Sequence, residues 1–113
     1  MLLLNAFSLN MVPRTGPWNI TANPVSLEEA RDILSTYGIE SAVGHPDTAR
    51  VLTDLLGIPV YAERLTVTIP EAGAYMMVAQ YSGPRLPEGA TTLPQGATIT
   101  WWTINIAPAF WDA

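Results

Sequence analysis

Residues 41–57 have the sequence SAVGHPDTARVLTDLLG, and this stretch decides the fold class. The short apolar run at 41–43 predicts a strand, and the segment that follows predicts a helix ending at Gly57. Pro46 suits the first helical position, because its missing N–H has no intrahelical partner there. His45 therefore lies at the N-cap or beside it. The buried face of this helix is predicted to consist of Val51, Leu52, Leu55 and Leu56.

A second helix and several strands surround this stretch. Ser26 and Glu29 form a capping box that predicts a helix over 27–36, with Gly38 just past its end. We predict a hairpin between residues 65–69, where apolar side chains alternate with threonine, and 74–81. Further short strands are predicted at 2–6, 18–22 and 98–106. This order predicts an α+β fold, a mixed β-sheet flanked by two main helices.

Residues 82–97 form a long segment without helix or strand periodicity, which we call the 82–97 loop. Six of its sixteen residues are glycine or proline, and Arg85 and Glu88 lie between the prolines. A loop of this length in a compact domain is usually functional or disordered. The fixed turns favour a functional lid.

Composition limits the classes of function. The chain has 113 residues, which suits a single domain, and its net charge is −5 with five arginines and no lysine. This charge balance argues against long DNA or RNA as a partner, since proteins that bind long nucleic acids carry a broad basic surface. A small anion remains possible, because the arginine fork suits phosphate. The sequence has no cysteine and no signal-peptide pattern, and no run approaches the roughly 20 apolar residues of a membrane span. We therefore expect a cytoplasmic protein that binds no membrane.

Four groups of residues are candidates for chemistry. A helix N-terminus attracts phosphate, and His45 there could contact it or protonate a leaving oxygen; a purely local role is the alternative. Arg85 could clamp a phosphate, with Glu88 beside it, or the two could be a solvated surface pair. Arg64 could bind an anion in the same way, or it could be a paired charge at the end of a strand. The loop after the first strand offers polar side chains for ribose or base edges, or forms an ordinary turn: Asn5, Ser8 and Asn10.

Three blocks of the sequence together resemble a known family. The first is LNAFSLNM at 4–11, the second is SAVGHPDT at 41–48 before a leucine-rich helix, and the third is Gln80 followed by GPRLPEG at 83–89. In this order they resemble the viral ring nucleases, a type III anti-CRISPR group first seen as uncharacterised proteins of archaeal viruses. The resemblance spans about residues 2–106. It implies that residues 1–113 form one ring-nuclease-like domain.

The resemblance also implies a ligand and a reaction. The family works as a homodimer that binds cyclic tetra-adenylate and cleaves it to linear di-adenylate with a 2′,3′-cyclic phosphate end. His45 would be the general acid, Glu88 would assist it, and no metal or cofactor is implied. The ring would be bound by Asn5, Ser8, Asn10, Arg64, Gln80 and Arg85.

One segment departs from the archaeal members. They carry a longer, charged segment after the Glu-Gly step, whereas this chain has ATTLPQG at 90–96. The shape of the lid therefore does not follow from the resemblance. Two other functions remain open from sequence: a cyclic-oligonucleotide binder without activity, and an interaction protein of a mobile element. The intact His45 and Glu88 argue against the first, and the acidic balance argues against the second.

Overall fold

A computed structural model describes residues 1–109 of the chain. Two helices lie among five strands, and a short 3₁₀ helix occupies Leu9–Met11. The strands are β1 (Leu2–Leu4), β2 (Trp18–Val25), β3 (Glu40–Ser41), β4 (Ala74–Ser82) and β5 (Thr98–Pro108); the helices are α1 (Leu27–Tyr37) and α2 (Pro46–Leu56). All five strands form one sheet in the order β2-β5-β4-β1-β3. The predicted α+β class with a mixed sheet and two helices is confirmed.

The sheet is mixed because its two halves are connected differently. Strands β4 and β5 are antiparallel and in register from Ala74 opposite Ile106 to Ser82 opposite Thr98. Strand β1 is parallel to both β4 and β3, and the chain between β1 and β3 includes α1, as a parallel connection requires. Strand β2 pairs only with β5 and forms one edge, where Pro24 is tolerated without a ladder N–H.

Both helices begin and end where local sequence chemistry predicts. The Ser26 hydroxyl accepts the Glu29 N–H at 3.0 Å, and the Glu29 carboxylate accepts the Ser26 N–H at 3.1 Å, which completes the capping box of α1. In α2, His45 is the N-cap and Pro46 the first helical residue, and the helix ends at a left-handed Gly57. These hydrogen bonds and backbone preferences involve only neighbouring residues, so the helix boundaries could be predicted from the sequence.

The helices cover only one face of the sheet. Alternate residues of β4 point to opposite sides, so that Met77 and Ala79 pack under the helices while Met76 and Val78 face away from them. The helix-side core comprises Leu3, Ala30, Leu34, Val43, Ala49, Leu52, Leu56, Val60, Met77, Ala79 and Trp101. Irregular segments cover part of the other face, which we call the helix-free face.

Within residues 1–109, no helix is long and apolar enough to cross a bilayer.

The predicted strand at 65–69 is wrong, and so is its hairpin with 74–81. The segment has no strand structure; its Ile69 N–H donates to the Met11 carbonyl at 2.7 Å. Both edges of β4 are already occupied by β1 and β5, so no place remains beside it. Ile69 and Val67 are still turned into the helix-free-face core. The alternating pattern therefore does not indicate strand pairing here, and Leu65, at its start, is exposed.

Several predicted boundaries also shift. Strand β1 ends at Leu4 instead of residue 6, and β2 continues to Val25 because it pairs with β5 along its whole length. The strand predicted at 41–43 is the two-residue β3, Glu40–Ser41. These differences arise because the neighbouring strand, not local propensity, decides how far a ladder extends.

Gly73 gives the largest expected effect on stability. Its φ is +97°, and an added Cβ would lie 2.2 Å from the Ile106 carbonyl oxygen, a backbone atom that cannot move without disrupting β5. We expect Gly73→Ala to lower the free energy of unfolding by roughly 3 kcal/mol, since both strain and overlap contribute. Urea unfolding measures this. Gly38→Ala is the matched control, because Gly38 has a similar φ of +76° but nothing within 4 Å of its Cβ. Equal losses in the two variants would contradict the steric argument.

Candidate functional site

One cavity opens on the helix-free face, at the carboxyl end of β1. It has a volume of about 320 Å³, and two amide side chains, Asn5 and Gln80, reach it. The indole of Trp102 contributes to its wall, because Trp102 on β5 lies opposite Val78 on β4 and faces the same side. The remaining lining residues are Ala6, Phe7, Ala22, Val78 and Ile104. The cavity thus combines apolar walls with two hydrogen-bonding amides, as ligand sites commonly do.

A second cavity, of about 470 Å³, lies at the start of α2. It brings His45 together with Arg85 and Glu88 of the 82–97 loop, although some forty residues separate them in sequence. Asp47, Leu86 and Pro87 complete its lining. The His45 side chain makes no capping hydrogen bond to α2, so its imidazole is available for a ligand. The free N–H groups of the first helical turn contribute a partial positive charge at this end of the cavity.

Asp47 is a site residue that sequence reasoning missed. It is only 8% exposed, and its Oδ1 accepts the Gly89 N–H at 3.2 Å. The same oxygen accepts from the Arg50 guanidinium, one turn along α2. An aspartate at the second position of a helix is ordinary in sequence, so no local signal distinguished this one.

Trp102 was likewise missed as a binding candidate. The sequence pattern placed it in the last strand but could not tell which of the two adjacent tryptophans, 101 or 102, faces a ligand. Trp101 is 4% exposed and packs beneath the helices, whereas Trp102 is half-buried on the helix-free face. To predict which tryptophan faces the cavity, one would have needed the register of the last strand against β4.

Arg64 lies beside the histidine without lining either cavity. Its Nε donates to the Gly44 carbonyl oxygen at 3.2 Å, and its stem packs against Gly44, where an added Cβ would be 3.3 Å from the Arg64 Cγ. The side chain is exposed, so the rest of its guanidinium remains free to meet an anion next to His45. The structure therefore brings this arginine to the border of the site.

Two predicted residues lie further from the cavities. The Ser8 hydroxyl accepts the Asn10 N–H at 3.2 Å and caps the short 3₁₀ helix, which gives this pair a local role. Both side chains are exposed, and neither lines the two cavities described above.

Across residues 1–109, no three His, Cys, Asp or Glu side chains are grouped as they would be to hold a metal ion.

The fold is that of a small α+β protein known from a Sulfolobus virus. The chain is similar to the solved structure of B116 of Sulfolobus turreted icosahedral virus (STIV), with a TM-score of 0.71 and 21% identity, over 91% of this chain and 96% of that one. It is also 27% identical over 89 residues to "Uncharacterized protein 26" of Sulfolobus islandicus filamentous virus (isolate Iceland/Hveragerdi), covering 79% of this chain and 73% of that protein.

Residues 1–96 match the STIV B116-like family, and the chain belongs to this family. The family assignment based on the three sequence blocks is thereby confirmed. All three blocks fall within the matched residues. They supply Asn5, Phe7 and Gln80 to the first cavity. They supply His45, Arg85 and Glu88 to the second.

Proposed function

We propose that this protein is a metal-independent ring nuclease that cleaves cyclic tetra-adenylate and so switches off type III CRISPR signalling. The observation that carries the proposal is the single cavity shared by His45, Arg85 and Glu88 at the start of α2. The sequence resemblance assigns His45 and Glu88 to the reaction and Arg85 to binding of the ring. The protein acts in the cytoplasm of the host cell, where it meets the messenger.

The reaction is an internal transesterification. A ribose 2′-hydroxyl passes its proton to solvent water as its oxygen attacks the adjacent phosphorus; the 2′-O–P bond forms and the P–O5′ bond breaks. His45 gives its proton to the leaving 5′-oxygen. The amides at the start of α2 and the Arg85 guanidinium stabilise the extra negative charge on the phosphoryl oxygens. Glu88 positions the reacting groups. Two such cuts release two linear di-adenylates with 2′,3′-cyclic phosphate ends.

The cavity on the helix-free face suits a nucleobase. Asn5 and Gln80 each offer a donor and an acceptor, which matches the adjacent N6 and N7 positions of adenine. The Trp102 indole offers a flat surface for stacking, a contact that commonly holds unpaired bases. In this proposal, adenine occupies this cavity while the phosphodiester lies at His45. Ser8, Asn10 and Arg64 contact the ring from the borders.

A homodimer fits the symmetry of the ligand. Cyclic tetra-adenylate has approximate two-fold symmetry, and a two-fold dimer presents two copies of the same surface. Each copy supplies its single His45, so a chain with one histidine is sufficient for two symmetric cuts.

The decisive experiment uses purified protein, cyclic tetra-adenylate and EDTA. We expect cleavage to di-adenylate with cyclic phosphate ends, detected by chromatography and mass spectrometry, at the same rate with EDTA and with added Mg²⁺. This result follows because the proposed acid, clamp and helix amides need no metal. Tight binding without cleavage would instead identify a binder that sequesters the messenger. Absence of binding would overturn the cyclic-nucleotide proposal.

A further inference from the structure

Asp47 connects two parts of the molecule that are distant in sequence. It lies in the first turn of α2, and its carboxylate accepts the N–H of Gly89, 42 residues further along the chain. The acceptor is largely removed from water, since the residue is only 8% exposed. A charge-assisted hydrogen bond in such surroundings is stronger than one between neutral groups at the surface.

The 82–97 loop makes few other hydrogen bonds to the rest of the described chain. Its own backbone hydrogen bonds, from Ala90 to the Pro87 carbonyl and from Ala97 to the Pro94 carbonyl, stay within the loop. Tyr81 of β4 donates to the Pro84 carbonyl at its first turn. Among hydrogen bonds between residues 1–109, the one from Gly89 to Asp47 is the sole link from this loop to an element other than β4 and β5.

The ion pair between Arg50 and Asp47 also affects the charge of the cavity at the start of α2. A lone carboxylate at the start of α2 would repel a phosphate from the cavity that it lines. Arg50 pairs with the same Asp47 oxygen and offsets its charge. Asp47 can therefore hold the loop by a charged hydrogen bond without making the cavity anionic.

We propose that Asp47 is a positioning residue that clasps the 82–97 loop against the start of α2. Glu88 immediately precedes the amide that is held, and Arg85 lies four residues before that amide on the same proline-containing segment. Fixing the Gly89 N–H therefore fixes where both side chains meet His45. The inference rests on the proposed function only for its effect on catalysis; the clasp itself is a property of the protein without ligand.

The test compares three variants of the full-length protein by amide hydrogen exchange without nucleotide. Asp47→Ala removes the acceptor, and we expect exchange at Gly89 and Ala90 to rise by about tenfold or more, as loss of a hydrogen bond to a charged group implies. Asp47→Asn keeps an acceptor oxygen and is expected to retain part of the protection. Asp54→Ala is the matched control, since it removes a carboxylate from the same helix at an exposed position.

Cleavage assays then measure the functional consequence. We expect kcat of Asp47→Ala to fall by about tenfold to a hundredfold, because small displacements of positioned groups have effects of this size. Asp47→Asn is expected to recover part of kcat, and Asp54→Ala is expected to match the wild type.

Two results would overturn the clasp: unchanged exchange of the loop in Asp47→Ala, or exchange that rises equally in β4 and α1, which would indicate general destabilisation. If the wild type cleaves no cyclic tetra-adenylate, the proposed function fails, whereas the exchange data still decide the clasp.

Discussion

Replacing His45 with alanine is expected to slow cleavage of cyclic tetra-adenylate by about 10²–10⁴-fold, the range that a positioned general acid contributes. The reason is the leaving 5′-oxygen, which departs as an unstable alkoxide when no proton is supplied. Single-turnover assays with excess enzyme measure the chemical step directly. Binding of the intact ring, measured by calorimetry, is expected to change much less, because the helix amides and arginines remain.

The fold should tolerate this substitution, which makes the assay interpretable. His45 is the N-cap of α2, but its side chain makes no capping hydrogen bond. Ser26→Ala provides a contrasting variant: it removes the capping hydrogen bond of α1 and is expected to lower the free energy of unfolding by ~1 kcal/mol while leaving cleavage intact. Wild-type cleavage by the His45→Ala protein would rule out His45 as the acid.

Replacing Arg85 with alanine is expected to weaken binding of the ring by about 10- to 100-fold, since hydrogen bonds to charged groups contribute roughly 1.5–3 kcal/mol. Arg85 is exposed at the mouth of the cavity shared with His45, so its guanidinium is free to form two parallel bonds to a phosphate. Binding is best measured in the His45→Ala background, where the ligand stays intact. Arg85→Lys is expected to recover only part of the affinity, because an ammonium lacks the planar fork.

Arg14→Ala is the control for overall charge. It removes one positive charge from an exposed turn before β2, and Arg14 lines neither cavity. We expect its affinity to match that of the wild type. Equal losses for Arg14→Ala and Arg85→Ala would show that binding depends on net charge rather than on a clamp at His45.

The two helices and the position of His45 at the start of α2 could be predicted from the sequence, because they depend on neighbouring residues. The capping box at Ser26 and the proline after His45 act through neighbouring atoms, so sequence alone carries that information. Strand pairing depends on distant partners. Val67 and Ile69 of the alternating segment at 65–69 do pack against the core, but nothing local could show that β1 already occupies the edge of β4.

The rest of the site depends on tertiary contacts. Asp47 resembles any acidic residue near a helix start until the 82–97 loop returns to meet it, 42 residues later. Trp102 differs from Trp101 only by the face on which it lies. Ser8 was predicted from its residue type, whereas the structure gives its hydroxyl a local acceptor role at Asn10.

The two ends of the 82–97 loop lie close together, and this closeness affects how the loop can vary in length during evolution. Ser82 pairs with Thr98, and Gly83 sits so close to Ala97 that an added Cβ would be 2.7 Å from its Cα. The two ends are thus joined by the sheet itself, whatever the chain does between them. Closing a loop of twice the length costs only about 0.6 kcal/mol more. Insertions and deletions at this position are therefore nearly neutral for folding, so relatives can diversify this segment in length and composition while keeping the same β4–β5 ladder.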